Sequence, residues 1–221
     1  MIIALLQRIE SLECLQLGGD GLLIALDQGT DGAVELARPW VVLLRERWWE
    51  GDTELADQLA ARLQIGPTPM LRPLPIDLDQ LSGILEGDPL IGGGRVDLRS
   101  GEVWSQPVLE DAVETGDEDE DEGDDFEGPW WLTVECEGSR AGYRDMQDFI
   151  AAVPDEDRRD RLAIAIEGRG AFRRFKDVLS RWPEEFGRWY AFSEERQRGR
   201  ARAWLTDAGY YVAPRTARSP H

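Results

Sequence analysis

Apolar positions recur along this chain in two spacings, and the changes between them mark out its elements. GLLIALDQ, from Gly21, is a short apolar run between turn residues, the signature of a strand. Pro39 is placed to open a helix at its first turn, and WVVLLRERWW follows with Trp40, Leu43, Leu44 and Arg47 at helical spacing. Thr53 is a suitable N-cap for TELADQLAARLQ, where Leu55, Leu59 and Leu63 repeat every four residues ahead of a stop at Gly66. GPTPMLRPLP, from Gly66 to Pro75, has four prolines and reads as a linker, because proline has no N–H for a helix or a central strand. Asp77 then caps a short helix over LDQLSGILEG, and GGGRVDLRSGEVWSQ alternates around a turn at Arg99-Ser100-Gly101, which predicts a β-hairpin. PWWLTVECEG, from Pro129, alternates as a strand.

After this strand the pattern is helical to the end. Tyr143, Met146, Ile150 and Val153 form one stripe, and Pro154-Asp155 restarts the chain before DEDRRDRLAIAIEG. Gly168 and Gly170 interrupt. In the next helix Phe172, Phe175, Val178, Leu179 and Trp182 span an arc of about 120° on the helical wheel, a stripe suited to burial. Pro183 ends that helix, and Glu184-Glu185 open another with acidic residues at the end that favours them. The predicted fold class is α+β. A small N-terminal α/β unit spans residues 1–65 and a proline-rich linker spans 66–75. A second domain over 76–211 packs a short antiparallel hairpin or sheet with three or four helices, and residues 212–221 are expected as a disordered tail.

Charge adds a division that periodicity does not show. The formal net charge is −19, but residues 141–221 carry 16 basic and 13 acidic residues, while the rest of the chain is strongly acidic. From Glu110 to Glu127, 12 of 18 residues are acidic and none is basic, so this stretch repels itself, buries nothing and is expected as a disordered loop. It does not have EF-hand spacing: counted from Asp117, the position that needs glycine holds Glu122 and the position for the bidentate glutamate holds Gly128. Lys176 is the only lysine, and asparagine is absent. No apolar run of about 18 residues suggests a membrane span, and the start, MIIALLQRIESLECLQL, has charges within it and reads as folded structure instead of a signal peptide. Cys14 and Cys136 have no metal spacing. Reduced thiols and a cytoplasmic location are expected.

The only histidine is His221, the last residue, which excludes histidine-based nucleophile systems and HExxH zinc sites. No Walker A, GxSxG or CxxC motif is present, so no cofactor, no metal and no enzymatic activity are expected. Three constellations remain. On the last helix Phe186, Trp189, Ser193, Arg196, Arg200 and Trp204 lie within about 80° on the wheel. That grouping suits a cationic pocket walled by indoles for a phosphate or carboxylate. It equally suits arginines that snorkel or pair with Glu194 and Glu195. On the helix before it, Arg173, Arg174, Lys176 and Arg181 form a basic arc, with Arg169 in the preceding glycine turn. This is either an anion-binding helix start or a solvated face. Arg95, Asp97, Arg99 and Glu102 surround the hairpin, where ion pairs on a sheet face are the commoner arrangement.

Three ordered blocks resemble uncharacterised protein family 0158 of the UPF series, a bacterial family. They are IDLDQLSGILE with GGRVDLRSGEVW, then GYRDMQDFIAAV, then AIEGRGAFRRFKDVL with RWYAFSEERQRGRARAWLTDAG. The resemblance covers about residues 76–211 and has no assigned activity to transfer. It implies that Arg173, Phe175, Lys176, Trp189 and Phe192 belong to a shared framework. The expected function is a non-enzymatic cytoplasmic interaction or regulatory module. It would use the arginine–aromatic face of the last two helices, with Arg169, Arg173, Arg174, Lys176, Trp189, Arg196 and Arg200 as binding residues. An unknown, acidic protein partner would suit that face, and the acidic loop could mask it in cis. The alternative is binding of RNA or single-stranded DNA through the same face, with stacking on Trp189 or Tyr190. No membrane partner is expected.

Overall fold

The computed structural model describes residues 14–115 and 128–214. Among the described residues, the N-terminal unit holds three helices: α1 (Leu15–Asp27), α2 (Ala33–Arg47) and α3 (Asp52–Arg62). The strand expected at GLLIALDQ is instead the second half of α1. A short apolar run fits either periodicity, and here Leu15, Leu22 and Leu23 fall on one helical face with Gly18 and Gly19. Gly19 has a packing reason, since a Cβ there would lie 2.5 Å from Leu55 Cδ2, so the glycine lets α1 and α3 approach closely. Helix α2 starts six residues before Pro39, which sits exposed inside it, while Ala33, Ala37, Trp40, Val41 and Leu44 form the buried stripe. Trp40 Nε1 donates to Leu15 O at 2.9 Å and ties α2 to the start of α1. The N-cap of α3 is Gly51, in the left-handed region, and not Thr53.

The proline-rich stretch ends in a strand, β1 (Arg72–Leu74), which pairs in parallel with β5 (Tyr210–Val212) at the far end of the chain. The residues after Trp131–Val134 are therefore not all helical, and Val212 lies in a strand. A two-stranded edge tolerates Pro73 because only one side of the strand needs donors. Helix α4 (Leu78–Leu85) is capped as predicted, with the Asp77 carboxylate accepting from the N–H groups of Asp79 and Gln80. The hairpin is β2 (Gly94–Asp97) and β3 (Val103–Ser105), joined on the other side of β2 by β4 (Trp131–Val134) in an antiparallel sheet of order β3-β2-β4. Helix α5 (Gln106–Thr115) takes in the first six residues of the acidic stretch, so these are helical and not an irregular loop. Its Leu109 is buried, which supplies the apolar contact that the run of carboxylates lacks. Residues 116–127 lie outside the described residues, as do the start of the chain and positions 215–221.

Between β4 and β5 lie four helices: α6 (Arg140–Ala151), α7 (Glu156–Ala165), α8 (Ala171–Leu179) and α9 (Pro183–Asp207). Three apolar cores result. One lies within α1–α3. A second lies between the sheet, α4 and the C-terminal part of α9. The third lies among α6, α7, α8 and the start of α9, where Phe149, Phe175 and Trp189 meet edge to face. Helix α9 runs past all three. The protein is α+β, dominated by helix. No helix among the described residues is long and apolar enough to cross a membrane.

Candidate functional site: a cleft beside the basic face of α8

The arginines of α9 face inward onto carboxylates. Arg196 Nε lies 2.9 Å from Asp145 Oδ1 and its Nη2 lies 3.8 Å from Asp148. Arg200 Nη2 lies 2.6 Å from Glu86 and 2.7 Å from Asp145. Arg198 bridges Asp20 and Asp79, and Arg202, fully buried, pairs with Asp20 and donates from Nε to Gln16 Oε1 at 2.7 Å. In the opposite sense, Glu195 of α9 accepts from Arg47 of α2 and from the backbone N–H of Gln16, while Arg47 also holds Asp52. The wheel grouped Arg196 and Arg200 correctly. Their partners, however, come from α4 and α6 and not from neighbouring Glu194 and Glu195. Sequence reasoning missed Gln16, Asp20, Arg47, Asp52, Glu86 and Asp145, because, apart from the pair Arg47–Asp52, they meet their partners across dozens of residues, which periodicity does not encode. Trp189 is 5% exposed and packs in the third core, so it is not a stacking platform.

Helix α8 presents the opposite case. Arg173 has a 90% exposed side chain, opposed only by Asp177 at 3.9 Å among the described residues. Lys176, Arg169 and Arg181 are also exposed. Arg174 differs from the rest of the arc: its guanidinium donates to the carbonyls of Ala165, Glu167 and Arg169 and so closes the C-terminal end of α7. Gly168 and Gly170 both take positive φ, at 72° and 76°, in the tight turn that brings α8 back onto α7. Phe172 leaves the predicted buried stripe and stands at the surface.

Phe172 and Lys176 line one wall of a cleft of about 930 Å³ bounded by α4, α6, α8 and α9. Tyr190, 52% exposed, adds aromatic surface, and Glu86, Asp79 and Glu194 add carboxylates. Glycines keep it open. Nothing lies within 4 Å of where a Cβ of Gly83 would stand, and a Cβ on Gly142 would come 3.2 Å from the Phe172 ring. Two of the cleft carboxylates are already committed, Asp79 to Arg198 and Glu86 to Arg200. Burial pushes the Glu86 carboxyl above its usual range against the pull of Arg200 and Gln197, and the charge of Asp145 adds to the push. At the hairpin, hydrogen bonds from Arg99 outweigh the upward push of partial burial and hold Asp97 below the usual carboxylate range. Asp97 and Arg99 are a local ion pair at 3.0 Å. Among the described residues no group of three or more histidine, cysteine, aspartate or glutamate side chains is arranged to hold a metal, and neither cysteine is in a disulfide.

Residues 140–217 match the model of an uncharacterised protein family, UPF0158. A UPF0158 protein from Pseudomonas aeruginosa is 30% identical over 150 residues, which are 68% of this chain and 92% of that protein. The chain belongs to family UPF0158. No solved structure matches it. The matched segment contains α6 to α9 and β5, and so holds the whole basic arc and the arginine-rich helix. The opposite wall of the cleft, on α4, lies before it.

Proposed function

We infer that this UPF0158 protein is a non-enzymatic interaction module whose docking face is the outer side of α8 with the adjoining cleft, and that its partner is an acidic protein segment. The observation that carries this reading is how the cations divide between two helices. Arg196, Arg198, Arg200 and Arg202 of α9 are neutralised inside the fold, whereas Arg169, Arg173, Lys176 and Arg181 point outward beside an apolar rim of Phe172 and Tyr190. A cluster of like charges at an exposed surface repels itself and is relieved by a complementary surface, which also speeds encounter. Internal pairing removes Arg196 and Arg200 from the set of binding residues, burial removes Trp189, and the contacts of Arg174 with α7 give it a structural role. For single-stranded nucleic acid, the same facts leave Tyr190 and the exposed cations of α8 as the elements of a binding face, without the indole of Trp189.

The test is affinity capture from a lysate of the source cell, with and without nuclease, comparing the wild-type chain with Arg173→Glu/Lys176→Glu. Arg174 is left in place so that the cap on α7 survives. A nuclease-resistant, acidic protein recovered by the wild type and lost from the variant is the expected result. Recovery that disappears with nuclease would replace this reading with nucleic-acid binding. Identical profiles would mean that the arc is a solvated surface.

A further inference from the structure

A second cavity, of about 340 Å³, lies between the turn before α3, the end of α4, the start of α6 and the last turns of α9. Glu86, paired with Arg200, borders both this cavity and the α8 cleft. Two small side chains, Ala141 of α6 and Ala203 of α9, leave the space open, and Leu85 and the partly buried Trp204 supply apolar wall.

The fold leaves the other charges of this lining unused. Arg140 and Arg144 stand one turn apart on α6, a spacing at which like charges repel. Both are exposed, and neither has an ion-pair partner among the described residues. The carboxylates next along α6, Asp145 and Asp148, are committed to Arg196 and Arg200. Glu50, Glu137 and Asp207 line the same cavity, and they too have no cation paired with them among the described residues. Opposite charges that share a cavity without meeting one another are complemented by a ligand that carries both signs. Three uncommitted carboxylates stand against two uncommitted arginines, so that ligand has more positive groups than negative ones. A guanidinium is the cation that fits best, because its plane stacks on an indole such as Trp204 and its fork of N–H groups matches a carboxylate.

We propose that this cavity binds a free basic amino acid of the arginine type, with its carboxylate held by Arg140 and Arg144 and its two cationic groups by Glu50, Glu137 and Asp207. The volume, at the small end of the range for ligand pockets, suits one amino acid. Isothermal titration calorimetry on the full chain tests it, with L-arginine, agmatine and L-citrulline as probes. Agmatine lacks the carboxylate, and citrulline has a neutral urea in place of the guanidinium. L-arginine is expected to bind saturably and about tenfold tighter than either, the loss expected for one charge-assisted contact. Arg140→Gln/Arg144→Gln should lower its affinity to that of agmatine while circular dichroism is unchanged, and Glu50→Gln/Asp207→Asn should lower it to that of citrulline. Ala203→Phe, which fills the space and leaves every charge in place, should abolish binding. Arg173→Glu/Lys176→Glu should bind L-arginine as the wild type does, since the docking face of α8 is a separate surface. Absence of saturable heat with L-arginine would overturn the proposal. So would equal affinity for L-arginine and either analogue, or an unchanged affinity in Arg140→Gln/Arg144→Gln or in Ala203→Phe.

Discussion

Glu86 and Asp145 share the Arg200 guanidinium, an arrangement of one partly buried and one buried carboxylate on one cation. Burial raises the Glu86 carboxyl above its usual range, so the folded chain takes up this proton more readily than the unfolded one. The stabilising contribution of that protonation is complete below the usual glutamate range of about 4.3 and is lost as pH rises through the raised folded value. Glu86→Gln resembles the protonated form. It should therefore be more stable than the wild type at pH 7, with the difference shrinking to nothing as pH falls below the usual glutamate range, as read by urea unfolding across that window. A variant less stable than the wild type at pH 7 would mean that attraction to Arg200 outweighs burial. None of this was legible at the residue scale in the sequence. Glu86 stands 114 positions from Arg200, and nothing local marks it as buried. By contrast the Asp77 cap on α4 was legible, because a cap acts within three residues.

At the scale of elements, α9 is the piece that joins the others, and one glycine decides how closely. A Cβ on Gly199 would meet the carbonyl oxygen of Glu50 far inside van der Waals contact, and one on Gly51 would meet the Gly199 carbonyl in the same way. Gly51 also holds φ at +83°, which an L side chain rarely adopts. Helix propensity alone predicts that glycine to alanine within α9 stabilises by about 1 kcal/mol. That gain should appear for Gly187→Ala, where nothing lies within 4 Å. Gly199→Ala should instead destabilise by about 1–3 kcal/mol, since a backbone carbonyl cannot move aside as a flexible side chain can. Chemical denaturation of the two variants measures both. Equal effects would show that the contact between Gly51 and Gly199 does not set the distance of α9 from the turn before α3. Helix propensity alone marks Gly199 as a weak point in the helix. Its role as a close approach between helices depends on Glu50 and Gly51, which no periodicity in α9 reveals. Helix α1 was misread for a related reason. Its glycines signal a break locally, whereas packing against Leu55 gives Gly19 a place inside a helix.

For the whole molecule, buried ion pairs couple the N-terminal helices to α9. Gln16, Asp20 and Arg47 on one side engage Glu195, Arg198 and Arg202 on the other, and Asp52 holds Gln16 and Arg47. Separating the two would strand charges, and breaking buried pairs by removing one partner typically costs about 3–5 kcal/mol. Urea unfolding of the full chain is therefore expected as one transition, with tryptophan fluorescence and far-ultraviolet circular dichroism coinciding. A fragment lacking residues 1–65 should lose that cooperativity. A fragment that unfolds sharply at the midpoint of the full chain would establish that the C-terminal part is independent of the N-terminal helices.

The α+β class, the hairpin and most helix positions follow from local pattern and composition, because periodicity, capping and residue inventory act within a few residues. The pairing of β1 with β5 and the inward turn of the α9 arginines follow from the packed fold, because each depends on groups that meet only across long chain separations. A charge on a helical wheel looks the same whether it meets water or a buried carboxylate. Desolvation and geometry settle which, and both are properties of the assembled molecule.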